Sequence, residues 1–402
     1  MLICIFTGFA SGLPLYILIS LVPAWLRTEG VGLKEIGLFT LIGLPYTWKF
    51  FWSPILERYP VPLLGRRRGW MLVTQTGLLI SIALLPQFST TTQLWPLAGL
   101  CSFIAFLSAS QDIAIDAYRR ELLPDIELGL GNAVHVNAYR IAGLVPGSLS
   151  LILADYLPWN LVFLITSAFM LVAIILTLSI REPTHSSPAP HTLKAAVIDP
   201  FREFFQRLGL SQALLILSFM FLYKLGDNLA TALATPFYLD MGFELKEIGL
   251  IAKHAALWPM IIGGLLGGIL MVKIGINRAL WIFGVVQLIS ILGFALMAHI
   301  GEGLWLLALV IGFEYLGVGL GAAAFIAFIA RTTSRAHSAT QLALLTALTA
   351  VPRTVANAGT GYLVEAVGWE PFFYLCALCA IPGMLLLFKV APWNESAISK
   401  QV

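Results

Sequence analysis

Charge is what this sequence has least of. Aspartate, glutamate, lysine and arginine make up 11% of the 402 residues, against 59% hydrophobic residues. A soluble domain carries about a quarter charged residues. A chain this poor in charge cannot cover its surface for water, and a mean hydropathy of +0.88 makes lipid the solvent. The net charge of +3 is no argument for nucleic acid. Cysteine is scarce too: Cys4, Cys101, Cys376 and Cys379 all lie in apolar runs. Cys376 and Cys379 have C-x-x-C spacing but no second pair, so packing is expected rather than metal or redox chemistry. Before the first apolar run there is no basic segment, and after it no small-residue cleavage site. Met1–Leu26 is therefore expected to be a retained membrane helix rather than a signal peptide. A phosphate-binding loop, a metal-ligand cluster and a nucleophile–base arrangement are all missing. ATP-driven transport and catalysis lack support, and no cofactor is implied.

What remains is long apolar runs. A helix needs roughly 20 mostly apolar residues to cross a bilayer. Twelve such spans are predicted, at about 2–26, 34–57, 70–88, 95–118, 130–156, 159–180, 211–239, 246–272, 279–299, 303–330, 338–364 and 369–391. Residues 181–209 form the one sizeable linker, and within it Pro200–Leu208 reads as a segment lying along the membrane surface. The hexapeptide Leu33–Leu38 returns unchanged as Leu245–Leu250, 212 residues later. Arg119 with Arg331, Arg140 with Arg353, and Trp159 with Trp369 keep nearly that offset, which points to duplication. The expected domains are a six-helix bundle over 1–180, a cytoplasmic linker over 181–209 and a second bundle over 210–402. Basic residues favour cytoplasmic loops. With both termini cytoplasmic, sixteen basic residues fall inside, and only Arg27, Lys34 and Lys246 fall outside.

The expected fold is thus an all-α integral membrane protein: twelve transmembrane helices in two six-helix bundles, resembling the major facilitator superfamily. After the second span, Glu57-Arg58 and then Arg66-Arg67-Arg68 resemble that superfamily's acidic–arginine loop. These five residues read either as a cytoplasmic gate pairing across the halves or as a basic anchor.

An ionisable group near mid-bilayer costs at least ~2.5–3.5 kcal/mol on insertion scales, so it implies a cavity or a partner. Lys49, Arg140, Lys224, Asp227, Lys253, Glu314, Arg353 and Asp112 all lie deep, and Asp116 lies one turn nearer the interface. Every one falls on a span that lines or flanks the central cavity in the superfamily. Spans 3, 6, 9 and 12 carry none at depth. Five deep cations against three anions favour an anionic substrate. Lys224 and Asp227, three residues apart, are able to pair on one helix face, which leaves them open to a purely structural role; so does Asp116 beside Arg119. Asp112 and Asp116 at i, i+4 share a face and would favour proton uptake. His135 and His254 are further candidates. Tyr46, Trp48, Trp52, Tyr139, Tyr223 and Trp258 lie near these charges, either as platforms for a sugar ring or as packing.

The segments Gly8–Leu15, Lys49–Pro54, Gly65–Trp70, Ser108–Ile113, Leu222–Asp227, Phe313-Glu314 and Ser338–Gln341 through Arg353 resemble the AmpG muropeptide permease family. The likeness runs from the first span to the twelfth. It implies proton-driven import of anhydromuropeptides across the bacterial inner membrane, in service of cell-wall recycling and β-lactamase induction. The resemblance matches Asp112, Asp116, Lys49, Lys224, Asp227, Lys253, Glu314 and Arg353 to the family's buried charges; from the residues themselves, Asp112, Asp116 and Glu314 are expected to couple to protons. Lys49, Arg140, Lys224, Asp227, Lys253 and Arg353, with Tyr46 and Gln111, are expected to meet the substrate. Some members carry two more helices after the twelfth span; this sequence ends shortly after it. The expected partners are an anionic sugar-peptide and the bilayer, with the chain acting as a monomer. Two rival readings stay open: a carrier of acetyl-coenzyme A or another anionic metabolite, and a non-transporting sensor of wall fragments.

Overall fold

The computed structural model describes residues 1–59, 61, 64–90, 92–182, 199–301, 303–332, 345, 350 and 354–394. Among them, nine helices are long and apolar enough to cross a membrane. Large apolar side chains such as Leu265, Ile269, Val272 and Phe388 point outward, as expected where lipid is the surrounding solvent. The chain divides into two compact units, Met1–Pro190 with Phe243–Lys253, and His191–Gly242 with His254–Val402.

In the first unit, the opening span runs as Leu2–Tyr16, a π-helical turn at Ile17–Leu21, and Val22–Thr28. Gly8 and Gly12 sit one turn apart, where a Cβ would collide with the carbonyl oxygens of His135 and Tyr139. Glycine here brings the first and fifth spans into backbone contact, the usual route to close helix packing in lipid. The second span is broken into Leu33–Phe39, Leu44–Trp48 and Ser53–Arg58, with 3-10 turns at Thr40–Gly43 and Lys49–Phe51 between them. Pro45 and Pro54 open the later pieces, where their missing N–H costs least.

Arg66–Leu84 and Leu94–Leu122 are the third and fourth spans. The fifth runs Asp125–Ala142, a π-turn at Val145–Leu149, then Ser150–Ala154. The sixth is Trp159–Ala168 with Met170–Ser179. Inside lipid, polar side chains pair across helices: Ser150 with Thr166 at 2.6 Å, and Thr177 donating to Gln75 at 2.8 Å. The segment Phe243–Lys253 packs in this unit, with the Lys246 N–H on Asp155 at 2.8 Å. It has its own π-turn at Ile248–Ala252.

The second unit is built on aromatic packing. Phe219, Tyr223, Phe283 and Phe328 are buried together, and Phe325 stacks on Tyr223 at 5.9 Å. Phe237, Phe294, Trp369 and Phe373 form another cluster. The seventh span is interrupted, as Leu210–Leu222, Leu225–Ala232 and Ala234–Asp240. The eighth and ninth, expected as separate spans, are two helices within Lys253–Ile300 that meet at a kink, where Gly275 leaves helical φ/ψ. Gly275 has φ +81, a value that glycine adopts without strain, so one residue replaces a loop. Leu304–Thr332 and Trp369–Val390 are the tenth and twelfth spans. Of the eleventh, Thr360–Val367 is described, whereas Arg353 and Gln341 lie outside the described residues. The expected surface segment forms a helix at Asp199–Leu208, with Phe204 buried in this unit's core.

Candidate functional site

The first unit gathers its deep charges around Asp112. Ser11, on the opening span, donates to Asp112 Oδ1 at 2.5 Å, and Lys49 Nζ stands 3.9 Å from Oδ2. Lys49 is positioned by the 3-10 turn Lys49–Phe51. Tyr46, one turn earlier, and Tyr139, on the fifth span, both neighbour this carboxylate. The Tyr46 hydroxyl is buried with no hydrogen-bond partner. Gln111 is fully buried; it donates to the Ala10 carbonyl at 2.7 Å, and its Oε1 has no partner. Asp116 pairs with Arg119 at 2.8 Å, with half its side chain exposed.

A turn further along the opening span, Arg140 lies beside Tyr16, whose ring meets Tyr139 at 5.8 Å. Arg140 is partly buried and has no hydrogen bond or ion pair among the described residues. One turn beyond Tyr16 is Ser20, which accepts a hydrogen bond from Lys253 Nζ at 3.0 Å. The Lys253 stem lies against Gly147. The three π-turns of this unit therefore meet around one lysine, whose partner is a neutral hydroxyl. π-turns are common at functional sites.

The second unit holds a separate cluster. Lys224 sits at the break in the seventh span, reaching Gln287 Oε1 at 2.8 Å and Asp227 Oδ2 at 3.4 Å. Glu314 is completely buried on the tenth span, with Ser290 Oγ 2.5 Å from its Oε2. Asp227 adjoins Glu314.

The arginine triplet opens the third span. Arg67 forks onto Glu121, with Nη2 at 2.7 Å and Nε at 3.2 Å, and both side chains are almost fully buried. Arg66 reaches the same carboxylate at 3.5 Å. The Glu182 carboxylate accepts the backbone N–H groups of Arg67 at 2.7 Å and Arg68 at 3.0 Å. It thereby satisfies donors that a helix start leaves open. Arg68 in turn donates to the carbonyls of Thr177 and Leu178, both at 3.0 Å. The partners seen for Arg67 and Arg68 thus belong to their own unit, and the side chains of Glu57 and Arg58 lie outside the described residues.

Other candidates take packing places. His135 is buried against Thr7 at 3.4 Å, His254 accepts from Trp258, and Tyr223 donates to the Leu280 carbonyl at 2.8 Å. Trp52 donates to Ser110 at 3.0 Å, while Trp48 and Trp258 are exposed. Among the described residues no cluster could hold a metal ion, and the four cysteines are free thiols.

Sequence reasoning missed the partners: Ser11, Ser20, Gln287, Ser290, Glu121 and Glu182. The first four had a signal, being polar residues inside apolar spans. Glu121 and Glu182 are the acids set directly against basic residues at the ends of the fourth and sixth spans.

The sequence matches the Major Facilitator Superfamily over residues 4–323. An uncharacterized protein of Haemophilus influenzae is 50% identical, over 98% of this chain and 95% of its own length. The anhydromuropeptide permease of Escherichia coli K12 is 43% identical, over 96% of this chain and 78% of its own. Among solved structures, a bacterial homologue of the human lysosomal transporter Spinster aligns with a TM-score of 0.74 at 16% identity, covering 98% of each chain.

Proposed function

The chain belongs to the major facilitator superfamily and, within it, to the family of the anhydromuropeptide permeases, and on that premise we propose that it imports anhydromuropeptides by proton symport. It is a multi-pass membrane transporter with a small-molecule substrate, not an enzyme. The finer reading is an inner-membrane importer with both termini cytoplasmic, driven by the proton gradient, whose working unit is the two halves of a single chain.

One observation carries the choice of an anionic substrate. Arg140 has no carboxylate beside it among the described residues, and Lys253 spends its hydrogen bond on a neutral serine. A cation held out of water without a counter-charge costs several kcal/mol. Two such cations, one beside Tyr16 and one on Ser20 about a turn further along the opening span, make sense where a substrate supplies the missing anions. A muropeptide stem has several carboxylates. Its sugars have N-acetyl groups, and the unpartnered Tyr46 hydroxyl and Gln111 Oε1 offer polar atoms of the kind that such groups bond.

Asp112 is the proposed proton carrier of this unit. Its two immediate partners are a hydroxyl and a lysine 3.9 Å away, so protonation frees Lys49 for a substrate carboxylate and deprotonation reclaims it. Asp116, paired with Arg119, would feed protons from the interface. Glu314 is the proposed second coupling group, and Lys224 with Asp227 would link binding to closure. The arginines 66–68 with Glu57 and Arg58 remain the proposed cytoplasmic gate. Superfamily members work by alternating access. The test is uptake of labelled anhydromuropeptide into proteoliposomes with and without an imposed pH gradient, in competition with unlabelled acetyl-coenzyme A. Gradient-driven uptake that acetyl-coenzyme A leaves intact supports the proposal; binding without counterflow, or competition by the thioester, overturns it.

A further inference from the structure

The second unit contains two buried carboxyl groups that share one lysine. Asp227 is 7% exposed and Glu314 0%. Asp227 Oδ2 faces Lys224, and Glu314 Oε2 faces Ser290. The remaining oxygens, Asp227 Oδ1 and Glu314 Oε1, are both buried and have no donor. One chain of contacts holds both acids in the same buried group: Lys224 reaches Asp227 and Gln287, and Ser290 meets both the Gln287 carbonyl and Glu314. Two carboxylates cannot bond each other, because each offers only acceptors. Ser290 cannot repair this. Its single hydroxyl proton has two acceptors already, the Gln287 carbonyl at 2.8 Å and Glu314 Oε2.

The surrounding groups supply no further donor to these oxygens. Tyr223 neighbours Asp227 but gives its hydroxyl to Leu280, and Tyr238, Tyr315 and Cys376 stand near Glu314 or each other. Charge gives the same answer as hydrogen bonding. With both acids ionised, Lys224 leaves the buried group at net −1; with one proton added, it is neutral. Two like charges with a single counter-charge, buried in one low-dielectric group, do not both persist.

We propose that Asp227 and Glu314 hold one proton between them as a carboxyl–carboxylate pair, a second protonation site built independently of Asp112. The proton bonds one acid to the other, and Lys224 balances the remaining negative charge. When the proton leaves to water, both acids become carboxylates and Lys224 is drawn from Gln287 towards Asp227. When it returns, that lysine is released. The consequence for transport rests on the proposed coupling role of Glu314, but the bound proton is a property of the protein alone.

The experiment is an infrared pH titration of the purified full-length protein in lipid nanodiscs, reading the C=O stretch of protonated carboxyl groups. At neutral pH the unaltered protein should show such a band. Glu314→Gln and Asp227→Asn should each abolish it, since either leaves a single acid beside Lys224. The swapped variant Asp227→Glu with Glu314→Asp should keep it, and so should Asp112→Asn. Asp227→Asn is nearly isosteric and serves alone if Glu314→Gln does not fold. A band that survives in Asp227→Asn, or no band in the unaltered protein, overturns the proposal. A band sensitive to sodium at constant pH would also overturn it, by making the ligand a metal cation. Gradient-dependent uptake measured on the same variants addresses coupling separately.

Discussion

Lys253 Nζ donates to Ser20 Oγ at 3.0 Å, so the amine lodged among the three π-turns of the first unit has a neutral partner. A hydrogen bond to a charged group contributes about 1.5–3 kcal/mol. If a substrate carboxylate takes the place of that hydroxyl, Lys253→Met should raise KM for anhydromuropeptide about 10-fold to 100-fold. Removal of a structural lysine would instead lower the amount of folded protein at unchanged KM. Initial-rate uptake in proteoliposomes, normalised to reconstituted protein, separates the two.

Arg140→Gln offers a parallel case. No ion pair is lost with it among the described residues, and an uncompensated charge is removed, so thermal stability in detergent should hold or rise. Affinity for a substrate with fewer stem carboxylates should fall less than affinity for the full stem. Equal loss for both would remove Arg140 from substrate recognition.

Asp112→Asn keeps an acceptor for Ser11 but cannot change protonation state. Uptake driven by a pH gradient should collapse by at least about 100-fold, the scale of losing one positioned proton-transfer group. Exchange of substrate across equilibrated vesicles should persist. Retained gradient-driven uptake in this variant would exclude Asp112 from coupling.

Glu121→Gln tests the fork at the start of the third span. Arg67 and Glu121 are nearly fully buried, and removing one partner of a buried pair costs about 3–5 kcal/mol. The variant should lose most folded material in a thermal-shift assay by size-exclusion fluorescence. Arg66→Ala, at the longer 3.5 Å contact, should lose much less. A similar loss in both would mean that the fork does not hold the span.

Gly12→Leu addresses packing rather than charge. A side chain there meets the Tyr139 carbonyl, and overpacking costs about 1–3 kcal/mol. Gly99, with open space at its Cβ position, is the control. A lower melting temperature for Gly12→Leu with none for Gly99→Leu is expected.

These outcomes also show where sequence reasoning reaches. Spans follow from apolar length, because lipid demands it whatever the packing. The deep cations and acids were legible for the same reason, since each is conspicuous in an apolar run. The Lys224–Asp227 pairing followed from a three-residue spacing, and the pair lies 3.4 Å apart. Partners brought from afar were not legible. Nothing in the spacing of residue 11 and residue 112 links Ser11 to Asp112, and nothing local sends Glu182 back to the amides of Arg67 and Arg68. The shortness of the Gly275 joint was hidden too, because polar residues around a glycine look like a loop whatever its length.

Leu33–Leu38 and Leu245–Leu250 are identical in sequence and different in winding. The first copy is regular α-helix that tightens at Thr40–Gly43; the second widens into a π-turn beginning at Ile248, inside the repeat itself. Six shared residues therefore do not dictate how the chain coils; what packs on them does. A π-turn takes up one residue beyond the α-helical count, and each residue of an α-helix turns it by about 100°. The two copies thus point their following side chains along different bearings without any insertion. Winding serves as an address: it aims Lys253 at Ser20 from a sequence that elsewhere leads to Lys49.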